Sequence, residues 1–350
     1  MDKIAELSKG IGISKEQLSE DGESCILYGE LYTKYKSEII NKVISKTNIE
    51  TSKLKRSKQN DVIIPCSGET AIDIAVARCI PFDDVLLGGD LNVIRLHKDN
   101  GSFIAYQLNG KRKTDIAKLA QGVSVVHLYG ENLKAIKTYN PCLQEQQKIV
   151  RLLSILDERI STQNKIIDKF QSLIKGLAVA LTTKGKPNTA ISQCLECHSS
   201  ALQESEVMPN GLYKVFGANG LVGYTDVPQM NGDAILVIKD GSGVGTVSYA
   251  QGKFSVIGTL NYLTVIGNND LRYLYFALSV FNFQPYKTGM AIPHIYFKDY
   301  GKAKIYCPSL AEQKRVANVL DKLESKLFVE QELLALFNQQ KQYLLRKMFI

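Results

Sequence analysis

The sequence predicts an α+β fold in which one unit, a mixed α/β domain followed by a long helix, occurs twice. Three observations support this prediction. Residues 122–177 align without a gap on residues 289–344, and thirteen of the 56 aligned pairs are identical, whereas ordinary composition gives about three. Each aligned stretch ends in a long amphipathic pattern, and short β-rich segments precede each one. The chain is therefore an internal duplication.

Short apolar segments in each half predict the strands of the two domains, because they are rich in residues that favour strands and end at turn signals. The predicted strands are 61–65, 91–96, 234–238 and 260–266, and the predicted helical stretches are 103–119 and 270–283. In both halves the strands precede a helical stretch. Each domain is therefore predicted to be mixed α/β.

The C-terminal part of each repeat has the apolar spacing of a coiled-coil seam, alternately four and three residues. The seam residues are Ile149, Leu153, Leu156, Ile160, Ile167, Phe170, Ile174 and Leu177, then Val316, Leu320, Leu323, Leu327, Leu334, Phe337 and Leu344. Both seams carry a polar residue at one equivalent position, Gln163 and Glu330, and Lys341 stands where the first copy has Ile174. Buried polar seam residues can fix register and pairing. We expect the two helices to pack on each other.

Local signals set the boundaries of these elements. Ser309 and Glu312 have the spacing of a capping box and follow a proline, which predicts the start of the second helix. Segment 182–188 combines Gly, Pro and Asn and predicts a linker. The predicted order is a domain at 1–141, a helix at 142–181, a linker at 182–188, a domain at 189–308 and a helix at 309–350.

Composition and charge bound the class of protein. Lys and Arg number 43 against 35 Asp and Glu, a net charge of +8, which favours a polyanionic partner although solubility alone would also account for it. No apolar run approaches the roughly 20 residues that span a bilayer, and the first residues do not resemble a signal peptide. The seven scattered cysteines are typical of reduced thiols. We therefore expect a cytoplasmic protein without membrane association.

The sequence contains few motifs that are typical of catalytic, cofactor or metal sites. Asn140, Pro141 and Cys142 lack the aromatic continuation of an amino-methyltransferase motif, and no nucleophile and base pair stands out. We expect no catalytic residue, no cofactor and no metal site. Cys194, Cys197 and His198 match the haem-attachment spacing CxxCH, but partly buried thiols are the simpler interpretation.

The glycine run 240–246 follows a predicted strand and leaves two interpretations open. It could be a nucleotide loop, although it lacks the full pattern of a dinucleotide site or a P-loop. The favoured interpretation is a loop that brings backbone amides and the hydroxyls of Ser242 or Thr246 near phosphates.

The loops and helices together resemble a known family. The loop from Thr288 to Ile295 reads TGMAIPHI, the second domain ends in KIYCP at Pro308, and the helix SLAEQKRVANVLDKLE follows. In the first copy, PCLQEQQKIV from Pro141 and LLSILDERI from Leu152 have the same character. These segments resemble the specificity subunits of type I restriction-modification systems, although the first loop has Val126 where the second has Pro293.

The resemblance implies how such a chain works. It implies two target-recognition domains related by pseudo-twofold symmetry, each reading half of a split site in double-stranded DNA, separated by two antiparallel helices. It further implies that the helices dock methyltransferase subunits, which in turn bind restriction subunits. Methylation and cleavage would belong to these partners. Rigid helices of fixed length predict a constant, unread spacer between the half-sites.

The candidate DNA contacts divide by chemistry, because phosphates and base edges require different side chains. Phosphate contacts are assigned mainly to cations: Lys53, Lys55, Arg56, Lys58, Lys111, Arg112, Lys113, Lys239 and Lys287. Base reading is assigned to polar loop residues that can form directional bonds: Ser67, Asn92, Gln121, Ser242 and Asn261. Thr246, Thr288 and His294 are further candidates for contact with DNA. A solvated surface loop is the alternative for 53–58, and a buried structural histidine is the alternative for His127 and His294.

Two other functions remain open from the sequence alone. One is a coiled-coil scaffold whose two α/β modules bind proteins, for which the net charge is incidental. The other is a nucleotide-binding enzyme that uses the 240–246 loop. Salt-dependent binding to a specific duplex would favour the DNA reader over the scaffold, and nucleotide titration would test the enzyme.

Overall fold

A computed structural model of the chain describes residues 1–349, and these form two compact units. Unit 1 comprises residues 1–164 together with 332–349, and unit 2 comprises residues 165–331. Each unit therefore contains one α/β domain and segments of both long helices. The predicted C-terminal helix included Ile350, which lies outside the described residues. No helix among the described residues is long and apolar enough to cross a membrane.

The elements up to the end of the first long helix begin and end as follows. The strands are β1 Ala5–Lys9, β2 Leu18–Ser19, β3 Glu23–Ile26, β4 Ser45–Thr47, β5 Lys55–Arg56, β6 Asp61–Pro65, β7 Ser67–Gly68, β8 Arg78–Ile80, β9 Leu86–Leu87, β10 Leu91–Leu96 and β11 Val126–His127. The helices are α1 Glu30–Thr33, α2 Ala71–Ile74, α3 Gly101–Asn109, α4 Lys113–Ala117, α5 Gly130–Leu133 and α6 Leu143–Thr182.

The remaining elements follow the same order of strands, short helices and a long helix. The strands are β12 Thr189–Ala190, β13 Leu195–Ser199, β14 Tyr213–Gly217, β15 Gly220–Thr225, β16 Met230–Asn231, β17 Ala234–Ile238, β18 Val247–Ala250, β19 Lys253–Val256, β20 Leu260–Val265 and β21 Lys304–Ile305. The helices are α7 Leu271–Ser279, α8 Phe297–Tyr300 and α9 Leu310–Lys347. The chain is thus α+β, as the duplication predicted.

The same four-stranded antiparallel sheet lies at the centre of both domains. Its strand order is β1-β10-β6-β8 in unit 1 and β13-β20-β17-β18 in unit 2. Both central strands predicted in each domain are present in these sheets. The predicted helical stretch 103–119 is wrong as one helix, because the chain breaks at Gly110 into α3 and α4.

Strand β6 shows why a central strand carries consecutive apolar residues at 62–64. Val62 and Ile64 belong to the core that includes α3, whereas Ile63 between them belongs to a second core with Leu31. Successive side chains of a strand point to opposite faces, so a sheet covered on both sides requires an unbroken apolar run. Strand β17 divides in the same way between two cores in unit 2.

A buried glutamine joins the first domain to the start of α6. Gln146 is 2% exposed, and its Oε1 accepts a hydrogen bond from the backbone N–H of Asn100 (2.8 Å). Its Nε2 donates to the Asp99 carboxylate (2.6 Å) and the Pro141 carbonyl (2.9 Å). Asn100 in turn caps α3, because its side chain accepts from the N–H of Phe103. One amide thus links the first turn of α6 to the cap of α3.

The same joint recurs in unit 2 at the position 167 residues further on. The Asp270 N–H donates to Oε1 of Gln313 (2.8 Å), and Asp270 caps α7. Nε2 of Gln313 donates to the Pro308 carbonyl (2.9 Å) and to Oδ1 of Asn269 (3.2 Å). We call each of these arrangements a glutamine joint. Because a buried amide without partners costs about 1–3 kcal/mol, its full set of bonds fixes the domain on the helix.

The predicted seam residues of α6 and α9 are buried or half-buried. In unit 1, Leu153 of α6 and Leu345 of α9 share a core with Phe103, and Phe349 packs edge-on against the Phe103 ring at 5.3 Å. In unit 2, a different part of each helix contributes, with Ala178 of α6 beside Leu320 of α9 in the core around α7.

A buried ion cluster surrounds Lys341, the polar residue that stands in the α9 seam where the first repeat has Ile174. Nζ of Lys341 on α9 contacts the Glu38 carboxylate and lies 2.6 Å from Asp157 of α6. The three side chains are about one-tenth exposed or less. The Tyr106 hydroxyl of α3 also donates to Asp157 (2.6 Å). This cluster therefore ties both helices and the first domain together within unit 1.

Unit 2 builds a comparable cluster from a different element. Arg272 of α7 donates through Nε to Asp321 (2.7 Å) and through Nη2 to Glu324 (2.5 Å), both on α9. The Tyr275 hydroxyl donates to Glu324 (3.0 Å), and the guanidinium lies 4.3 Å from the centre of the Tyr249 ring. The cation comes from the domain in unit 2 and from the helix in unit 1.

The exchange Lys341→Ile, which copies the residue of the first repeat, is expected to lower the free energy of unfolding by about 3–5 kcal/mol. The reason is that two buried carboxylates lose their cation. Urea unfolding at pH 7 measures the loss. Lys326→Ile, at an exposed lysine of α9, is the matched control and is expected to change stability by less than about 0.5 kcal/mol.

The same exchange has a pH signature. Burial lowers the pKa of Lys341, but Glu38 and Asp157 outweigh burial and raise it above its ordinary value. The stabilisation is thus complete below the pKa of an unfolded lysine, about 10.4, and is lost as pH rises through the higher folded pKa. The stability difference between wild type and Lys341→Ile should shrink above that pH. A difference that persists undiminished at pH 12 would contradict the ion cluster.

Candidate nucleic-acid interface

A closed hairpin stands at the end of the second domain, between Thr288 and His294. The Thr288 N–H donates to the His294 carbonyl (2.9 Å), and the His294 N–H donates back to Thr288 (2.8 Å). Gly289 has a φ of +87°, and a Cβ there would lie 2.3 Å from the Ile292 carbonyl oxygen. Nδ1 of His294 lies 3.2 Å from the same oxygen. Glycine and histidine therefore hold the loop in one conformation.

The first domain forms the same hairpin between Gln121 and His127. The two residues exchange N–H to carbonyl bonds of 2.9 and 2.7 Å. Gly122 has a φ of +119°, and a Cβ there would lie 2.2 Å from the Val125 carbonyl oxygen. We refer to 121–127 and 288–294 as the paired hairpins. Their conformation is duplicated although their tip sequences differ.

Each hairpin is attached to the loop that follows a central strand. In the first domain, β11 pairs with β7 so that His127 lies opposite Ser67. In the second domain, His294 forms a backbone bridge with Asp240. The Gly241 N–H donates to the Pro293 carbonyl (2.9 Å), and the Ile295 N–H donates to the Lys239 carbonyl (2.9 Å). The predicted residues Lys239, Thr288 and His294 are therefore brought together.

The glycine run 240–246 is a turn whose backbone N–H groups form hydrogen bonds within the protein. The N–H groups of Gly241, Val244, Gly245 and Thr246 donate to carbonyls of Pro293, Gly241, Ile238 and Gly243. The expectation that backbone amides of this run face phosphates is therefore wrong for these four groups. The side chains of Ser242 and Thr246 are exposed and remain available.

A tyrosine and a lysine accompany each hairpin, and the sequence did not single them out as contacts. The Tyr129 ring lies 6.3 Å from the ring of the closing histidine, with Nζ of Lys9 5.9 Å from its centre. The Tyr296 ring lies 5.0 Å from its histidine, with Nζ of Lys298 at 5.2 Å. Both tyrosines are 47% exposed. Tyr129 and Tyr296 are identical at equivalent positions of the two repeats, and this identity could have marked them as functional residues.

Three predicted base-reading residues lie beneath the surface. Asn92 is 1% exposed and its amide donates to the Leu128 carbonyl (2.9 Å). Asn261 is 5% exposed and accepts from the Ser199 hydroxyl (2.9 Å). Ser67 is 6% exposed and donates to a neighbouring carboxylate. In this structure these side chains support the loops, because strand pairing and close packing enclose them.

The other candidates of the two hairpin regions are accessible. Gln121, Ser242, Thr246 and Thr288 are exposed, and Lys239, Lys287 and His294 are half-buried. The structural alternative for the histidines therefore applies in part: His294 orients its loop, yet neither ring is fully buried.

The basic run 53–58 lies in another part of the first domain. Lys53 and Lys58 are exposed, and Lys55 with Arg56 forms β5 at the edge of a five-stranded sheet. The Arg56 guanidinium lies 2.6 Å from the Glu23 carboxylate, and the hydrogen bond to Glu23 raises the pKa of Arg56. Its charge is thus partly compensated within the domain.

The second basic run, 111–113, lies beside the end of α9. A Cβ on the preceding Gly110 would be 2.5 Å from the Leu345 carbonyl oxygen. Lys111 is exposed, whereas Arg112 is half-buried and lies 3.5 Å from the Asp115 carboxylate. This run therefore lies near the boundary between domain and helix.

Two residues of the haem-like motif, Cys194 and His198, contact other side chains of the protein. Cys194 is buried, with its Sγ 3.6 Å from Sγ of Cys307. Nε2 of His198 lies 2.8 Å from Oγ1 of Thr264. Over the residues that the structure describes, no group of three or more His, Cys, Asp or Glu side chains is arranged to hold a metal ion.

Gly289→Ala is expected to loosen the second hairpin, because the new Cβ meets the Ile292 carbonyl and the backbone is strained by about 1–3 kcal/mol. Hydrogen exchange at the Thr288 and His294 amides should become faster. Gly252→Ala is the matched control, since Gly252 has a φ of +76° with no atom within 4 Å of its Cβ position. Equal exchange in the two variants would contradict the proposed role of the close contact.

Comparison with known proteins places this architecture in a family. The family model described as "Type I restriction modification DNA specificity domain" matches residues 2–171 and 197–337. The specificity subunit of the type I restriction enzyme EcoprrI from Escherichia coli is 25% identical over 114 residues. That alignment covers 33% of this chain and 28% of the relative, so the chain matches less than a third of that subunit's length.

Solved structures share the fold over nearly the whole chain. A crystal structure of the S subunit of a type I restriction-modification system from M. genitalium matches with a TM-score of 0.67 at 18% identity, covering 100% of this chain and 94% of that one. A second, from work on complex assembly and conformational transition of the type I system, gives a TM-score of 0.55 at 16% identity, with coverage of 98% and 95%. The chain belongs to the family of type I restriction-modification specificity subunits.

Proposed function

We propose that this chain reads a bipartite target in double-stranded DNA, with one half-site for each recognition domain. The observation that carries this proposal is the paired hairpins, which are closed by equivalent bonds and are each accompanied by an equivalent tyrosine with a lysine over its ring. Two copies of one reading surface are suited to two half-sites. We retain 1–141 and 189–308 as the recognition domains, 142–181 and 309–350 as the helices and 182–188 as the linker.

The proposal assigns DNA contacts by exposure and chemistry. Lysines near the hairpins, Lys9, Lys239, Lys287 and Lys298, contact phosphates, as do the exposed lysines of 53–58 and Lys111. Gln121, Ser242, Thr246, Thr288 and His294 have exposed or half-exposed polar atoms that can bond to base edges. Asn92, Asn261 and Ser67 support these loops from below. Arg56 and Arg112 contribute less, since each already has a carboxylate partner.

Apolar side chains on the long helices support the docking of methyltransferase subunits. In unit 1, Leu152, Ile155, Leu336 and Tyr343 are 44–62% exposed. In unit 2, Leu173, Phe328 and Val329 are 46–63% exposed. We propose that these side chains of α6 and α9 contribute to the surface on which the methyltransferase subunits dock. Methylation and, through further restriction subunits, cleavage would belong to these partners, so we propose a non-catalytic subunit that works in the cytoplasm without a cofactor of its own.

A coiled-coil scaffold is the rival that the same helix surface would suit. The two functions differ in their response to salt. A DNA reader that neutralises Z phosphates loses affinity with a slope of about −0.9Z in a plot of log affinity against log salt. Binding through apolar helix faces has no such slope.

Co-expression of the chain with a methyltransferase subunit from the same genome, followed by methylome sequencing, tests the proposal. The expected result is one modified motif with two specified halves and a constant unspecified gap, because two domains read separately. The methyltransferase subunit expressed alone is the control and should leave no such motif. A contiguous motif would contradict one half-site per domain, and the absence of any motif would contradict DNA reading.

A further inference from the structure

The tips of the paired hairpins are apolar and fully exposed. Met290 in the second hairpin is fully exposed, and Val123 in the first is 98% exposed. Two residues on, Ile292 and Val125 are 66% and 52% exposed. The tips thus match in character at both positions, although none of these four residues is identical between the repeats.

The exposure of these side chains is imposed by the hairpin backbone. Two N–H to carbonyl bonds close each loop, and the positive φ of Gly289 and Gly122 turns the chain immediately before the tip. Each hairpin is also paired with the loop after a central strand. A closed and braced loop cannot turn its tip into the domain core. The tip side chain is therefore held ready for a partner outside the chain.

The surroundings of the tips favour nucleic acid as that partner. Lys287 directly precedes the second hairpin, and an exposed tyrosine with a lysine over its ring follows each one. Acidic neighbours are Asp240, whose backbone is bridged to His294, and Asp90, which accepts from Ser67 opposite His127. An apolar side chain that protrudes beside lysines and an exposed tyrosine can enter a DNA groove, since the major groove is about 12 Å wide.

We infer that each hairpin tip enters a DNA groove, where Met290 and Val123 contact base edges and act as specificity-determining residues. The inference rests on the proposed function, since it presumes that each domain reads one half-site. Apolar side chains recognise the thymine methyl group in the major groove, and Met or other apolar residues pack against base steps in the minor groove. The polar hairpin residues then flank an apolar contact.

The test measures affinity for the duplex found by methylome sequencing, with the full chain in complex with its methyltransferase subunit. Met290→Ala is expected to weaken binding to the specific duplex about tenfold, because the apolar area that the Met side chain buries beyond Cβ is lost. Binding to a non-specific duplex and its salt slope should not change, because no charge is removed. Val227→Ala is the matched control, since Val227 is 77% exposed elsewhere in the same unit.

Base substitutions locate the contact. In double-mutant cycles, Met290→Ala is expected to couple with at least one base pair of one half-site, and Val123→Ala with a base pair of the other. The inference is overturned if Met290→Ala behaves like Val227→Ala, or if protein and base substitutions are additive at every position. Failure of the proposed function looks different, because the wild-type complex would then show no preference for any duplex.

Discussion

The glutamine joint is the interaction on which each half of this protein depends. Gln146 and Gln313 are each 2% exposed, and each accepts from the capping residue of a domain helix and donates to the proline carbonyl before its own long helix. Because buried amide groups are costly without partners, few other placements of the domain satisfy them. The domain helix packs on the central sheet, and the loops after that sheet hold the hairpin. Hairpin, domain and helix segment therefore form one connected structure within each unit.

The two copies differ in the ion clusters that join the domain to the helices. Unit 1 neutralises Asp157 and Glu38 with Lys341 of α9, whereas unit 2 neutralises Asp321 and Glu324 with Arg272 of the domain. Buried carboxylates without a cation cost several kcal/mol in unit 1, whereas the side chains of the unit 2 cluster are 21–36% exposed. Exchange of the equivalent helix segments would bring Ile174 to the carboxylates of unit 1. The buried cluster of unit 1 thus favours the α9 segment that carries Lys341, while the glutamine joints are common to both units.

Repeats and periodicity were enough to predict the duplication, the central strands β6, β10, β17 and β20 and the course of the long helices. These features follow from local patterns, since a seam or a buried strand is written in consecutive residues. Glu38 and Lys341 lie 303 residues apart in sequence, and no local pattern pairs them. Burial of Asn92 and Asn261 could not be predicted for the same reason, because it depends on neighbouring strands. The amides of 240–246 were misassigned because glycine spacing alone does not show which carbonyls they reach. Tyr129 and Tyr296 were visible as repeat identities, but their lysine neighbours come from separate segments.

We propose that the two long helices, through their fixed length, set the gap between the two half-sites. Inserting seven residues after Asn164 in α6 and seven after Gln331 in α9 keeps the heptad spacing and lengthens each helix by roughly 10 Å at about 1.5 Å per residue. Methylome sequencing of cells that carry this variant measures the gap directly. The account predicts both half-sites unchanged and a gap wider by about three base pairs, at roughly 3.4 Å per pair. An unchanged gap with both half-sites intact would contradict it.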